Sequence, residues 1–162
     1  MTIARQFETF RQGIVAGIAG GLAEVAWVTF YAAATGGDAE AVARGITTAA
    51  GVSALLPSSP AALGVAVHMT LAVALGVTLA FAWQACRERS PRLTNPYPLT
   101  LAALSGVWAL NFFIVLPVVS AGFVHMLPYA ASFTSKLLFG LAAAEMLRRQ
   151  ARPLVAARYL CR

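Results

Sequence analysis

Charged residues are scarce in this chain. They make up 11% of the 162 residues, against 59% hydrophobic residues, and the mean hydropathy is +0.73. Soluble domains carry about 25% charged residues, so this chain has too few to cover a surface exposed to water. The scarcity excludes an ordinary soluble domain and indicates an integral membrane protein.

Acidic residues are rarer than basic ones. The sequence holds six Asp and Glu against twelve Lys and Arg, which gives a net charge of +6. The basic residues lie beside apolar runs, where they face lipid phosphates and fix the orientation of the chain. We therefore expect the partner of this positive charge to be the lipid bilayer and not a nucleic acid.

Cysteine is nearly absent, with only Cys86 and Cys161. The two residues show no CxxC or metal-ligand spacing. The sequence also lacks a nucleophile–base constellation, a phosphate-binding loop and an HExxH motif. These absences predict a protein that is not an enzyme, without a cofactor or a metal site.

Long apolar segments are what the chain does contain. A membrane span needs about 20 such residues, and four segments qualify, at about 14–34, 61–84, 99–119 and 127–147. They fill the chain, so residues 1–162 are predicted to form a single domain. The predicted fold class is all-α, a polytopic membrane protein with four transmembrane helices.

The longest connection, between the first two spans, carries an amphipathic pattern. Over residues 38–50, apolar Val42 and Ile46 alternate with Glu40 and Arg44. This pattern predicts a short interfacial helix on the membrane surface.

The positions of Lys and Arg indicate the orientation. Residues 1–13, 85–98 and 148–162 hold ten of the twelve. The excess marks these segments as cytoplasmic, because positive residues are retained on that side. Both termini are predicted to be cytoplasmic, which agrees with the even number of spans, because that number places both termini on the same side.

A glycine pattern marks one side of the first span. Gly13, Gly17 and Gly21 recur every four residues, and small residues let membrane helices approach each other closely. Glu24 and Tyr31 follow Gly17 at intervals of seven residues, about two helical turns each. We therefore expect this side to pack on another helix and to direct Glu24 into the protein.

Three polar residues in different spans share one depth. With a rise of ~1.5 Å per residue, Glu24, Asn111 and Lys136 lie ~18–20 Å from the cytoplasmic edge. The sequence predicts that they form an intramembrane polar cluster, with Lys136 facing Glu24 and Asn111 bonded to one of them. Such a cluster either clamps the helices together or binds a proton or substrate. A third interpretation is that these polar side chains point toward lipid.

Two further residues are candidates for ligand binding or packing, His68 and Tyr31. His68 is expected nearer the outer surface than the cluster. His68 and His125 are each followed by Met, so a haem or copper site is an alternative. Neighbouring helical residues point ~100° apart, which disfavours two ligands from one pair, so a hydrogen-bonded packing role is predicted for His68.

Local signals predict details of the helix ends. Ser59 is a suitable N-cap ahead of Pro60 as first helical residue. Pro117 is expected to kink or end the third span. Glu145 is expected to pair with Arg148 or Arg149.

Residues 111–144, NFFIVLPVVSAGFVHMLPYAASFTSKLLFGLAAA, resemble a family of small bacterial four-helix membrane proteins. The earlier pieces WVTFYAAATGGDAEAVAR and GVAVHMTLA are similar to that family in order and spacing. The resemblance implies a four-helix architecture in the bacterial inner (plasma) membrane and no catalytic residue. Its members often carry the label sodium:proline symporter, but such symporters resemble a fold of ten or more spans with inverted repeats, which four spans cannot supply.

Two functions are therefore expected from the sequence. The first is a non-enzymatic structural or accessory subunit of the bacterial inner membrane, as a homo-oligomer or within a larger complex. The second is a small oligomeric transporter that uses the cluster of Glu24 and Lys136.

Overall fold

The computed structural model describes residues 2–90 and 95–160, with side chains up to Gln150. The predicted cytoplasmic residues Arg92, Cys161 and Arg162 lie outside the described residues. The predicted fold class is confirmed, because the described part of the chain is helical and contains four helices long and apolar enough to cross a membrane. The chain is thus a helical membrane protein.

Seven α-helices and two short segments of other helix types make up the described chain. The helices are α1 (Ile3–Thr35), α2 (Ala39–Ala49), α3 (Pro60–Arg89), α4 (Tyr97–Leu110), α5 (Leu116–Val119), α6 (Ala121–Val124) and α7 (Tyr129–Leu160). A 3-10 turn, Ser53–Leu55, precedes α3, and a π-helical segment, Asn111–Val115, joins α4 to α5.

Three of the long helices extend well beyond the predicted spans. α1 begins at Ile3, α3 continues to Arg89 and α7 continues to Leu160. In the third span, α5 continues the helix past Pro117 to Val119 after the π-helical segment. Proline removes a backbone N–H donor, and a local π-helical adjustment is one way in which membrane helices tolerate this loss.

The four long helices form an open array. α1 packs against α3 and α7, and α7 also packs against α4, whereas α3 and α4 scarcely touch. Arg5 of α1 bonds to Glu88 of α3, and Tyr97 of α4 bonds to Glu145 of α7. We call the end of the bundle where these pairs lie, and where the chain begins and ends, the terminal end.

Glycines allow α1 and α3 to approach closely, as the sequence predicts. Gly13 lies against Val77, and Gly17 lies against the backbone at Ala72 and Val73. Gly76 of α3 contacts the backbone of Gly17 in turn. From the level of this crossing toward the terminal end, the helices share a continuous buried core. Its residues are Ala16, Ala72, Leu79, Ala80, Trp83, Leu104, Phe139, Ala143 and Leu147.

The amphipathic helix α2 packs on protein and not only on the membrane surface. Gly64 of α3 contacts the Ala43 carbonyl, and the Thr47 hydroxyl donates a 2.6 Å hydrogen bond to the Pro60 carbonyl. Asp38 caps the helix by accepting hydrogen bonds from the backbone N–H groups of Ala41 and Glu40. These bonds, the Ala41 bond first, with Arg44 nearby, hold the pKa of Asp38 below its usual range.

Most of the predicted local features are present. Ser59 occupies the N-cap position and Pro60 is the first residue of α3, as expected, but the Ser59 side chain makes no capping hydrogen bond. Glu145 pairs with both Arg148 and Arg149, at 2.8 and 2.6 Å.

Candidate functional site

The middle of the bundle contains an ion pair between α1 and α7. Lys136 Nζ lies 2.6 Å from Glu24 Oε1, and the Glu24 side chain is only 4% exposed. The glycine side of α1 faces the protein interior and carries Glu24 with it. Each charge compensates the other, as a charge far from water requires.

Two serines of α7 complete the surroundings of Glu24. Ser135 Oγ lies 3.2 Å from Glu24 Oε1 and 2.7 Å from the carbonyl oxygen of Ser132, so its single proton serves one acceptor at a time. Ser135 is not among the site residues predicted from the sequence. The signal was present, because Ser132, Ser135 and Phe139 recur at three- and four-residue spacing and mark the inward side of α7.

His68 belongs to the same cluster, a contact that the sequence did not predict. Its Nε2 is 3.6 Å from Glu24 Oε2, the carboxylate oxygen that does not face Lys136. This nitrogen is buried and has no hydrogen-bond partner among the described residues.

The other two predicted site residues do not join the ion pair. Asn111 lines the cavity described below, but its side chain bonds to no residue that the structure describes. It begins the π-helical segment on α4, and α4 packs on α7 without closing against α1. Tyr31 packs against Trp27, with 6.2 Å between ring centroids, and does not line the cavity.

A cavity of about 400 Å³ lies over this cluster. Its floor is formed by α1 and α7, with Glu24, Lys136 and Phe139. Its walls are α3 and the π-helical segment with its neighbours, and α2 forms a roof with Val42 and Ile46. The space exists because α3 and α4 line opposite walls without packing on each other. Ligand sites of ~300–1,000 Å³ are typically apolar with a few convergent polar groups, and this cavity fits that description.

The cavity is closed toward the terminal end. Phe139, which is fully buried, forms part of the floor and also belongs to the solid core below it. Gly20 of α1 lies against its ring. A molecule in the cavity therefore reaches the polar cluster from the α2 half of the bundle or from the side.

Comparison with protein-family models, with curated proteins and with solved structures found no match to this chain.

Proposed function

We propose that this chain is a non-enzymatic membrane protein that binds a small amphipathic molecule in the cavity between α3 and α4. The observation that supports this proposal most directly is the position of the cluster. Glu24, His68 and Lys136 all line a cavity large enough for a ligand. A clamp whose only purpose was helix packing would need no such space, and filling it with apolar side chains would be more stable.

A small oligomeric transporter is the second candidate. The supporting observation is that the cavity is closed on one side of the cluster and lies entirely on the other. A transporter that works by alternating access has a binding site that is open on one side and closed on the other in each of its two states. Transport would need a second state in which the α1–α3 crossing opens, whereas binding alone needs one state. An accessory role within a larger membrane complex is compatible with either candidate.

A photo-crosslinking experiment tests for binding. Dodecanol with a diazirine at the end of its chain is added to the protein in lipid nanodiscs, and labelled peptides are identified by mass spectrometry. We expect saturable labelling of cavity residues such as Val107 and Leu75, which unlabelled dodecanol suppresses. Labelling of the outer surface of the helices is expected not to saturate, because it reports the probe dissolved in lipid.

A matched pair of variants on α4 distinguishes probe bound in the cavity from probe dissolved in the lipid. Val107 lines the cavity, whereas Leu110 is an exposed residue outside it. Val107→Trp should fill the space and abolish the saturable labelling, and Leu110→Trp should leave it intact. Labelling that does not saturate, or that persists in a folded Val107→Trp protein, would contradict the proposed function.

We place this protein in the bacterial inner (plasma) membrane with both termini in the cytoplasm, on the strength of the Lys and Arg distribution. Reporter fusions at Arg92 and after Arg162 should then report the cytoplasm, and a fusion at Arg44 the outside. An outside signal at Arg92 would contradict this topology.

A further inference from the structure

The rim of the cavity opens toward the side of the bundle. Leu71 on α3 and Val115 on the π-helical segment both line the cavity, yet Leu71 is 63% exposed and Val115 39%. Both residues lie one helical turn from polar members of the site, His68 and Asn111, in the middle of apolar helices. The exposed sides of these rim residues therefore face lipid hydrocarbon, and α2 covers the cavity above them. A lipid-soluble molecule can enter between α3 and α4 without crossing water.

Cationic and potentially cationic groups face the entering molecule. The side chains of Lys136 and His68 are 19% and 20% exposed, while Glu24, which lies between them, is 4% exposed. The side chains of Lys136 and His68 thus form the accessible surface of the cluster, although His68 Nε2 itself is buried, and the carboxylate lies behind them. An ammonium has three N–H donors, and Glu24 is the one described carboxylate within ion-pair distance of Lys136. This arrangement favours an anionic ligand with oxygen acceptors.

The charge balance then requires a proton. Glu24 and Lys136 cancel each other, so a bound anion would leave one uncompensated negative charge in low dielectric. His68 can supply the compensation if a proton binds at Nε2, the nitrogen that faces Glu24 Oε2 and has no hydrogen-bond partner among the described residues. Glu24 from α1 and Lys136 from α7 are the charged groups facing His68, and the described cavity linings of α2 and α4 contribute none.

From these observations we infer that the ligand is a single-chain amphipath with a monoanionic head such as a carboxylate, which enters sideways from the lipid and is bound together with one proton at His68. This inference rests on the proposed function, because it specifies the molecule that occupies the same cavity. It makes binding electroneutral: one negative charge arrives with the ligand and one positive charge arrives as the proton on the imidazole.

Competition against the diazirine-labelled dodecanol tests the choice of head group. Three competitors with the same chain are compared in nanodiscs: dodecanesulfonate, dodecanol and dodecyltrimethylammonium. The sulfonate replaces a carboxylate because its own charge does not change with pH, so any pH dependence belongs to the protein. At about pH 6 we expect the sulfonate to compete about tenfold better than dodecanol, as a charge-assisted hydrogen bond would give, and the ammonium to compete worst.

The proton is tested by pH and by His68→Gln. Histidine ordinarily changes charge between about pH 6 and pH 8, so as the pH rises through this range the sulfonate should lose most of its competitive advantage over dodecanol in the wild type. In His68→Gln the advantage should be small at both pH values, whereas Leu110→Trp should behave as the wild type. A glutamine is neutral and of similar size, so this variant keeps the ion pair of Glu24 and Lys136.

The outcomes separate the inference from the proposed function. If none of the three competitors displaces the probe, the proposed function itself fails. If dodecanol or the ammonium competes as well as the sulfonate at about pH 6, the cavity binds amphipaths but the anionic ligand is wrong. If the sulfonate is preferred equally at both pH values, or if His68→Gln retains the pH dependence, the proton at His68 is wrong.

Discussion

A Lys136→Ala variant should lose ~3–5 kcal/mol of stability, because it strands the buried Glu24 carboxylate without its partner. Glu24→Ala should cost a similar amount by stranding the ammonium. Protonation of the stranded carboxyl group would reduce the loss in the first variant. The measurement is the free energy of unfolding in mixed detergent micelles, together with the yield of folded protein.

The neutral pair Lys136→Met with Glu24→Gln should recover much of the loss, since no uncompensated charge remains. A double-mutant cycle on these two changes then measures the coupling energy directly. Arg11→Ala is the matched control for loss of a surface ion pair, because Arg11 and Glu8 are mostly exposed to solvent, and such pairs contribute ~0–1 kcal/mol. Additive effects of the two charge-neutralising changes would show that the pair does not hold the helices together.

The ion pair is the part of the site that could be predicted from the sequence by helix geometry. A fixed rise per residue gives the depth of Glu24 and Lys136, and glycine spacing gives the inward side of α1. Both quantities are local properties of single helices. The structure brings these two residues together, and it also brings together α1 and α3 through the glycines that the sequence analysis identified.

What the sequence could not give is which helices lie next to each other. In a soluble helix, apolar residues mark the side that packs on protein. In a membrane helix, lipid and protein both favour apolar residues, so the contrast that reveals packing is weak. Nothing in the patterns of α3 and α4 shows that these helices stay apart. The cavity depends on that separation.

Gly76→Ala should cost ~1–3 kcal/mol or more, because the new methyl group would collide with the backbone of Gly17 at the α1–α3 crossing. Backbone atoms cannot move aside as the end of a side chain can, so the two helices must separate. Gly106→Ala on α4 is the matched control, since nothing lies within 4 Å of a methyl group placed there. That change should be neutral or stabilise by up to ~1 kcal/mol, the helix propensity difference between alanine and glycine. Equal unfolding free energies for the two variants would contradict the close crossing.

The same variant also tests whether the α1–α3 crossing closes the cavity toward the terminal end. Leu79 and Ala80 of α3 are buried in the wild type, one turn beyond Gly76. If Gly76→Ala protein folds with its helices separated, the diazirine-labelled dodecanol should reach these two residues, which it should not label in wild type or in Gly106→Ala. Such labelling would show that the close glycine contact is what separates the cavity from the terminal half of the bundle. An opening at this contact in the wild type is the movement that a transporter requires and a simple binding protein does not.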